Sequence, residues 1–118
     1  MRADFLVSSE LKELPRRVVA AGESICIPDN KADIAFIIEK GQAKILSQRK
    51  KIFSGDVIGL IDLISEKNYL NKIVATKNCR LICFSRDQIK YSFNRESKVL
   101  WPIAKILATE IFSLKQAA

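Results

Sequence analysis

The sequence predicts a mainly β fold, a small β-roll or barrel with helices at its C-terminal end. Three observations carry this expectation. The four glycines, Gly22, Gly41, Gly55 and Gly59, each fall at a break between short apolar alternations. Glycine reaches φ > 0 without steric cost, so turn positions select it. The text between the breaks reads as strands of about five to seven residues. Two helical segments then close the chain after Ser85.

The elements follow in order. Apolar positions Val7, Leu11 and Leu14 have helical spacing, so residues 4–14 read as a short helix that Pro15 ends. Val18 to Ala20 and Ser24 to Ile27 read as strands, with Pro28-Asp29-Asn30 as turn text. Ile34 to Glu39 is an apolar run bounded by turns, a candidate buried strand. Gln42 to Gln48 alternates, with Ala43 and Ile45 on one face and Lys44 and Leu46 on the other. Ile52-Phe53 is a brief strand, and the Arg49-Lys50-Lys51 cluster before it is expected to cap an exposed turn.

Gly59 to Ser65 fits a strand or a short helix by pattern alone. Lys72 to Thr76 and Arg80 to Phe84 read as strands around an Asn78 turn. Ser85 is a good N-cap for a helix from Arg86 to Phe93, broken by Asn94 to Glu96. The last helical segment runs from about Ser97 to Leu114. Its residues Leu100, Ala104, Leu107, Ile111 and Leu114 form a heptad seam. Trp101, Ile103 and Ile106 widen the seam, and Pro102 is tolerable there only in a first turn or at a kink.

Composition narrows the function classes. The 118 residues suffice for one domain. The longest apolar run is Ile34 to Ile38, far short of the roughly 20 residues of a membrane-spanning helix. Asp4 sits where a signal peptide would begin its apolar core, so no export signal is read. With three cysteines, Cys26, Cys79 and Cys83, this points to reduced thiols and a cytoplasmic setting. Met1 and the small polar tail suggest a natural whole. Histidine is absent, which removes the commonest metal ligand and general base. No nucleophile–base pair is visible either, so neither an enzyme nor a metal site is expected. The 20 basic and 13 acidic residues give a net charge of +7. Such a field attracts acidic partners without naming one.

Four stretches, in this order, carry a resemblance: Ala21-Gly22-Glu23, Asp33-Ile34-Ala35-Phe36-Ile37-Ile38 with Gly41, Gly55-Asp56-Val57-Ile58-Gly59, and Ile73-Val74-Ala75. From about Arg17 to Leu114 the chain resembles the cyclic-nucleotide-binding domain family. The resemblance implies an eight-stranded β-roll, a double-stranded β-helix of jelly-roll type, followed by helices. The expected organisation is one domain over 1–118. The roll would span about 17–85, and the helices about 86–93 and 97–115. It also implies a non-enzymatic regulatory module whose C-terminal helices often pair two copies.

In that family a phosphate-binding cassette begins at the glycine matching Gly59. A glutamate for the ribose 2′-hydroxyl normally follows, where this chain has Leu60. A gapless count places Leu70 where the family has the arginine that pairs with the cyclic phosphate. An anionic phosphate needs a positive fork or a nest of N–H groups, and leucine offers neither. One reading is a degenerate pocket, filled by Leu60 and Leu70, in a domain that serves as a dimerising interaction scaffold. The alternative is a cyclic AMP, cyclic GMP or small-anion sensor using Lys72 and the backbone of Gly59, Leu60 and Ile61. Asp62, Tyr69 and Asn71 complete the candidate pocket. Asp62 and Lys72 are either solvated or ligand-facing, and Tyr69 either stacks on a base or is a loop aromatic. The seam predicts a homodimer, or else packing onto the roll, and a protein partner is open. Transcription factors of this kind carry a helix-turn-helix after the long helix. The chain stops at Ala118, so sequence-specific DNA binding is not expected, and neither is a membrane partner.

Overall fold

A computed structural model describes residues 13–117. The strands are β1 (Arg16–Val19), β2 (Ser24–Cys26), β3 (Ile34–Lys40), β4 (Gln42–Ile45), β5 (Lys50–Phe53), β6 (Val57–Ile58), β7 (Ile73–Ala75) and β8 (Cys79–Ser85). The helices are α1 (Leu60–Ile64), α2 (Arg86–Glu96) and α3 (Leu100–Ala117). The strands form two antiparallel four-stranded sheets, in the orders β1-β8-β3-β6 and β2-β7-β4-β5. This is the expected mainly β roll with C-terminal helices. The N-terminal helix expected over residues 4–14 lies outside the described residues, except for Glu13 and Leu14, which form a turn.

The Ile34 to Ile38 run is explained by burial on two sides. Phe36 and Ile38 face inward and join Val19, Ala43, Ile58 and Leu81 between the sheets. Ala35 and Ile37 point the other way and pack with Leu63, Ile82, Phe84 and Trp101 under the helices. A strand covered on both faces loses the polar half of its alternation. β8 repeats the arrangement, with Leu81 inward and Ile82 and Phe84 toward the helices.

The turn between β3 and β4 requires glycine. Gly41 has φ 110°, and a Cβ there would lie 2.8 Å from Cα of Cys79. β5 begins earlier than expected. Only Arg49 of the basic cluster occupies the turn, at φ 52°, and Lys50 and Lys51 pair with Ile45 and Lys44 in the sheet. The ambiguous stretch after Gly59 is helix, with Leu63 and Ile64 buried. Ser85 caps α2 as expected. Its Oγ accepts from Gln88 N–H at 3.3 Å while Gln88 Oε1 accepts from Ser85 N–H at 2.7 Å. α2 continues through Asn94 to Glu96 before Ser97 ends it. Pro102 falls in the first turn of α3, where a missing N–H costs nothing.

α3 packs mainly through Trp101, Ala108 and Phe112, which lie outside the heptad seam. Leu100, Leu107, Ile111 and Leu114 of the seam are exposed, at 39%, 58%, 40% and 72%, and only Ala104 is half-buried. Trp101 also meets Phe93 of α2, with ring centroids 6.2 Å apart.

Candidate functional site

The site forms where β6 turns into α1. Gly59 takes φ 77° and sets the turn, and a Cβ there would stand 3.0 Å from Cε1 of Tyr69. A cavity of about 140 Å³ opens beside it. Gly59, Leu60, Ile61 and Asp62 form one wall and Tyr69 and Asn71 a second. Cys26, Ile45, Ile52 and Ile73 of the second sheet supply an apolar floor, and Val57 and Ile58 of β6 with Lys50, Asp56 and Lys115 complete the lining. Six of the eight pocket residues expected from the sequence therefore come together. Leu70 is half-buried and Lys72 is exposed, and neither lines the cavity.

Asp62 is partly buried. Burial raises its pKa, opposed by the nearby Leu70 backbone N–H and by the Lys115 charge. Tyr69 is committed to the scaffold, since its hydroxyl donates to the Ile34 carbonyl. Burial, with the Cys26 charge adding to it, pushes the Tyr69 hydroxyl up to about 12. Asn71 Oδ1 accepts from Ser47 Oγ at 3.1 Å. The Cys26 thiol is also pushed up to about 12, first by burial and then by Asp62. It is a packed thiol rather than a nucleophile.

Two ammonium groups that the sequence reading did not single out line this cavity. Lys50 shares the inward face of β5 with Ile52, and that i, i+2 relation is a signal the alternation carries. Lys115 lies two helical turns beyond Ala108, on the packed face of α3. No arginine lines the cavity among the described residues. Chemically, the arrangement offers point positive charges, the two half-buried carboxylates of Asp56 and Asp62, and an amide. It holds no metal-ligating group of three or more His, Cys, Asp or Glu among the described residues.

Two contacts fix α1 against its surroundings. Arg86 at the start of α2 donates to Leu63 O through Nε at 3.3 Å and to Ala32 O through Nη2 at 3.3 Å. Lys105 of α3 meets Glu66, just past α1, with Nζ 2.6 Å from Oε2.

Comparison with known proteins places this architecture. Residues 16–96 match the family model described as the cyclic nucleotide-binding domain. The EAL enzyme Bd1971, in its form bound to cAMP and cyclic-di-GMP, is similar in structure with a TM-score of 0.66 and 20% identity. That similarity covers 81% of this chain and 27% of the other, so the chain spans about a quarter of that enzyme. CBD2 of PKAR, bound to Sp-2Cl-cAMPS, gives a TM-score of 0.65 and 24% identity, covering 87% of this chain and 68% of that one. A putative cyclic nucleotide-binding protein from Geobacter metallireducens gives 0.64 and 17%, covering 96% and 89%. No curated protein sequence matches the chain significantly. No described helix is long and apolar enough to cross a membrane. With two thirds of its length matched by the family model and the β-roll in place, the chain belongs to the cyclic nucleotide-binding domain family.

Proposed function

We propose that this domain is a non-enzymatic regulatory module that does not hold cyclic AMP or cyclic GMP in the manner of its family and acts as a dimerising scaffold. The carrying observation is the cavity's set of charges. Its cations are Lys50 and Lys115, on β5 and the last turns of α3, and no guanidinium lines it among the described residues. Lysine neutralises phosphate as a point charge and cannot supply the bidentate fork. Leu60 stands where a ribose-binding glutamate would be expected, and the Tyr69 hydroxyl is already engaged. A cavity of about 140 Å³ is also small beside the roughly 300–1,000 Å³ of ordinary small-molecule sites.

The stripe of Leu100, Ile103, Leu107, Ile111 and Leu114 on α3 supports the dimer. Exposed apolar stripes of this length are normally covered, and a two-fold pair of copies is the commonest closed solution. The three free cysteines support a cytoplasmic setting.

The test is the melting temperature with cyclic AMP, cyclic GMP and inorganic phosphate, each at millimolar concentration. A ligand at about 100 times its Kd would add roughly 2.7 kcal/mol, several degrees for a domain of this size. The expected result is no shift with any of the three. A shift with a cyclic nucleotide and none with phosphate would overturn the reading and make the domain a sensor.

A further inference from the structure

We infer that the outward face of the β2-β7-β4-β5 sheet is a docking surface for an acidic, partly apolar segment of a partner protein. The first observation is a separation of charge along the chain. From Lys40 to Gly55, and again from Lys67 to Arg86, there are ten lysines and arginines and no aspartate or glutamate. These two stretches supply β4, β5 and β7, three of the four strands of the sheet, and also β8 of the other sheet, whose Arg80 is paired with Glu39.

The second observation is register. Lys44 lies directly opposite Lys51 on one side and Val74 on the other. Their neighbours Ala43, Ile52 and Ala75 are buried at 0%, 6% and 1%, so alternation sends Lys44, Lys51 and Val74 outward. Two like charges directly opposite each other destabilise a sheet. Packing gives no reason for that pair, because both side chains leave the core.

The third observation is the contrast with other cations. Arg16 and Arg80 share Glu39, Arg86 approaches Asp33, and Lys105 meets Glu66. Lys44, Lys51 and Lys72 have no carboxylate partner among the described residues. Leu46, whose N–H donates to Lys72 O, and Phe53 are exposed at 45% each and flank the charges with apolar contact.

The chemistry selects among polyanions. Single-stranded nucleic acid is held by successive aromatic platforms, and this face offers only Phe53. An anionic bilayer favours an amphipathic helix with a deep apolar face, whereas this is a sheet of short strands. Point-charge lysines beside two separate apolar side chains fit a segment that alternates carboxylates with apolar residues. Such a partner would neutralise the Lys44–Lys51 repulsion on binding.

A fluorescein-labelled peptide of alternating glutamate and leucine, measured by anisotropy at low salt, tests this, with the glutamine counterpart as control. The glutamate peptide is expected to bind and the glutamine peptide not. Lys44→Glu with Lys51→Glu is expected to weaken binding about tenfold or more, whereas Lys90→Glu with Lys98→Glu, the same charge change on α2 and on the turn between α2 and α3, weakens it by less than about threefold. Lys44→Gln with Lys51→Gln removes the charges without reversing them. It must also lose affinity while keeping a cooperative melt. Equal losses from both pairs of positions would reduce the effect to net charge and overturn the proposal. So would failure of the glutamate peptide to bind, or tighter binding of oligothymidylate or of phosphatidylserine vesicles.

Discussion

Tyr69 closes over Gly59. Its ring edge stands where a Cβ on Gly59 would be 3.0 Å away, and its hydroxyl reaches past to the Ile34 carbonyl. The β6–α1 turn thus has two constraints, a left-handed φ of 77° and a Tyr69 ring edge that would have to yield to a Cβ. Gly59→Ala is expected to cost about 1–3 kcal/mol, read as a lower urea midpoint. An unchanged midpoint would mean that the ring and the turn are not in this contact.

The two apolar faces of α3 are expected to separate in their effects. Phe112, 7% exposed, should cost about 3–5 kcal/mol when cut to alanine. Leu107 and Ile111 lie outside the core. Leu107→Asp with Ile111→Asp should leave helix content intact and halve the mass found by sedimentation equilibrium. A parent chain that sediments as a monomer at every concentration would remove the dimer from the proposed function.

Asp62 gives a pH prediction with a definite sign. Its pKa is raised on folding from 3.8 because burial penalises the charged form. The folded state therefore holds the proton longer than the unfolded chain, so Asp62 contributes most stability below 3.8 and loses it as pH rises through its raised folded value. Asp62→Asn removes the charge at nearly the same size. Its melting temperature should gain on the parent's through that window and hold the gain above it. A constant difference across pH would show that Asp62 titrates as it does in the unfolded chain.

Arg86 should resist conservative replacement. Its guanidinium spans the Leu63 and Ala32 carbonyls, both at 3.3 Å, with Asp33 at 3.7 Å. Arg86→Lys keeps the charge and loses the fork, at an expected cost of about 1–3 kcal/mol. Lys31→Met removes only the exposed pair with Asp33 at 3.9 Å and should change stability by less than about 0.5 kcal/mol. Chemical denaturation of the two variants side by side checks the contrast.

Much of this architecture is local, and local features are legible in a sequence. Gly41 and Gly59 mark turns because the chain there takes φ values that a Cβ resists. Ser85 marks a helix start because its cap partner, Gln88, is three residues away. Ile34 to Ile38 marks a strand covered on both faces because its apolar run is unbroken. The order of these features was also enough to suggest the family. Long-range geometry decided the rest. Pattern alone left the stretch after Gly59 open between strand and helix, until packing buried Leu63 and Ile64 under the first sheet. The heptad seam is a true periodicity, yet α3 buries the neighbouring face through Trp101, Ala108 and Phe112, because a helix apolar over a wide arc does not encode which part meets the core. Lys50 and Lys115 share a cavity with Asp62 although both are far from it in the chain, and no local rule relates them. The sequence by itself determined most of the strands, the glycine turns and the kind of roll, although Val57-Ile58 (β6) reads there as turn text. Only the tertiary structure decided which charges share the cavity and which face of α3 remains outside, because both depend on how separate elements pack.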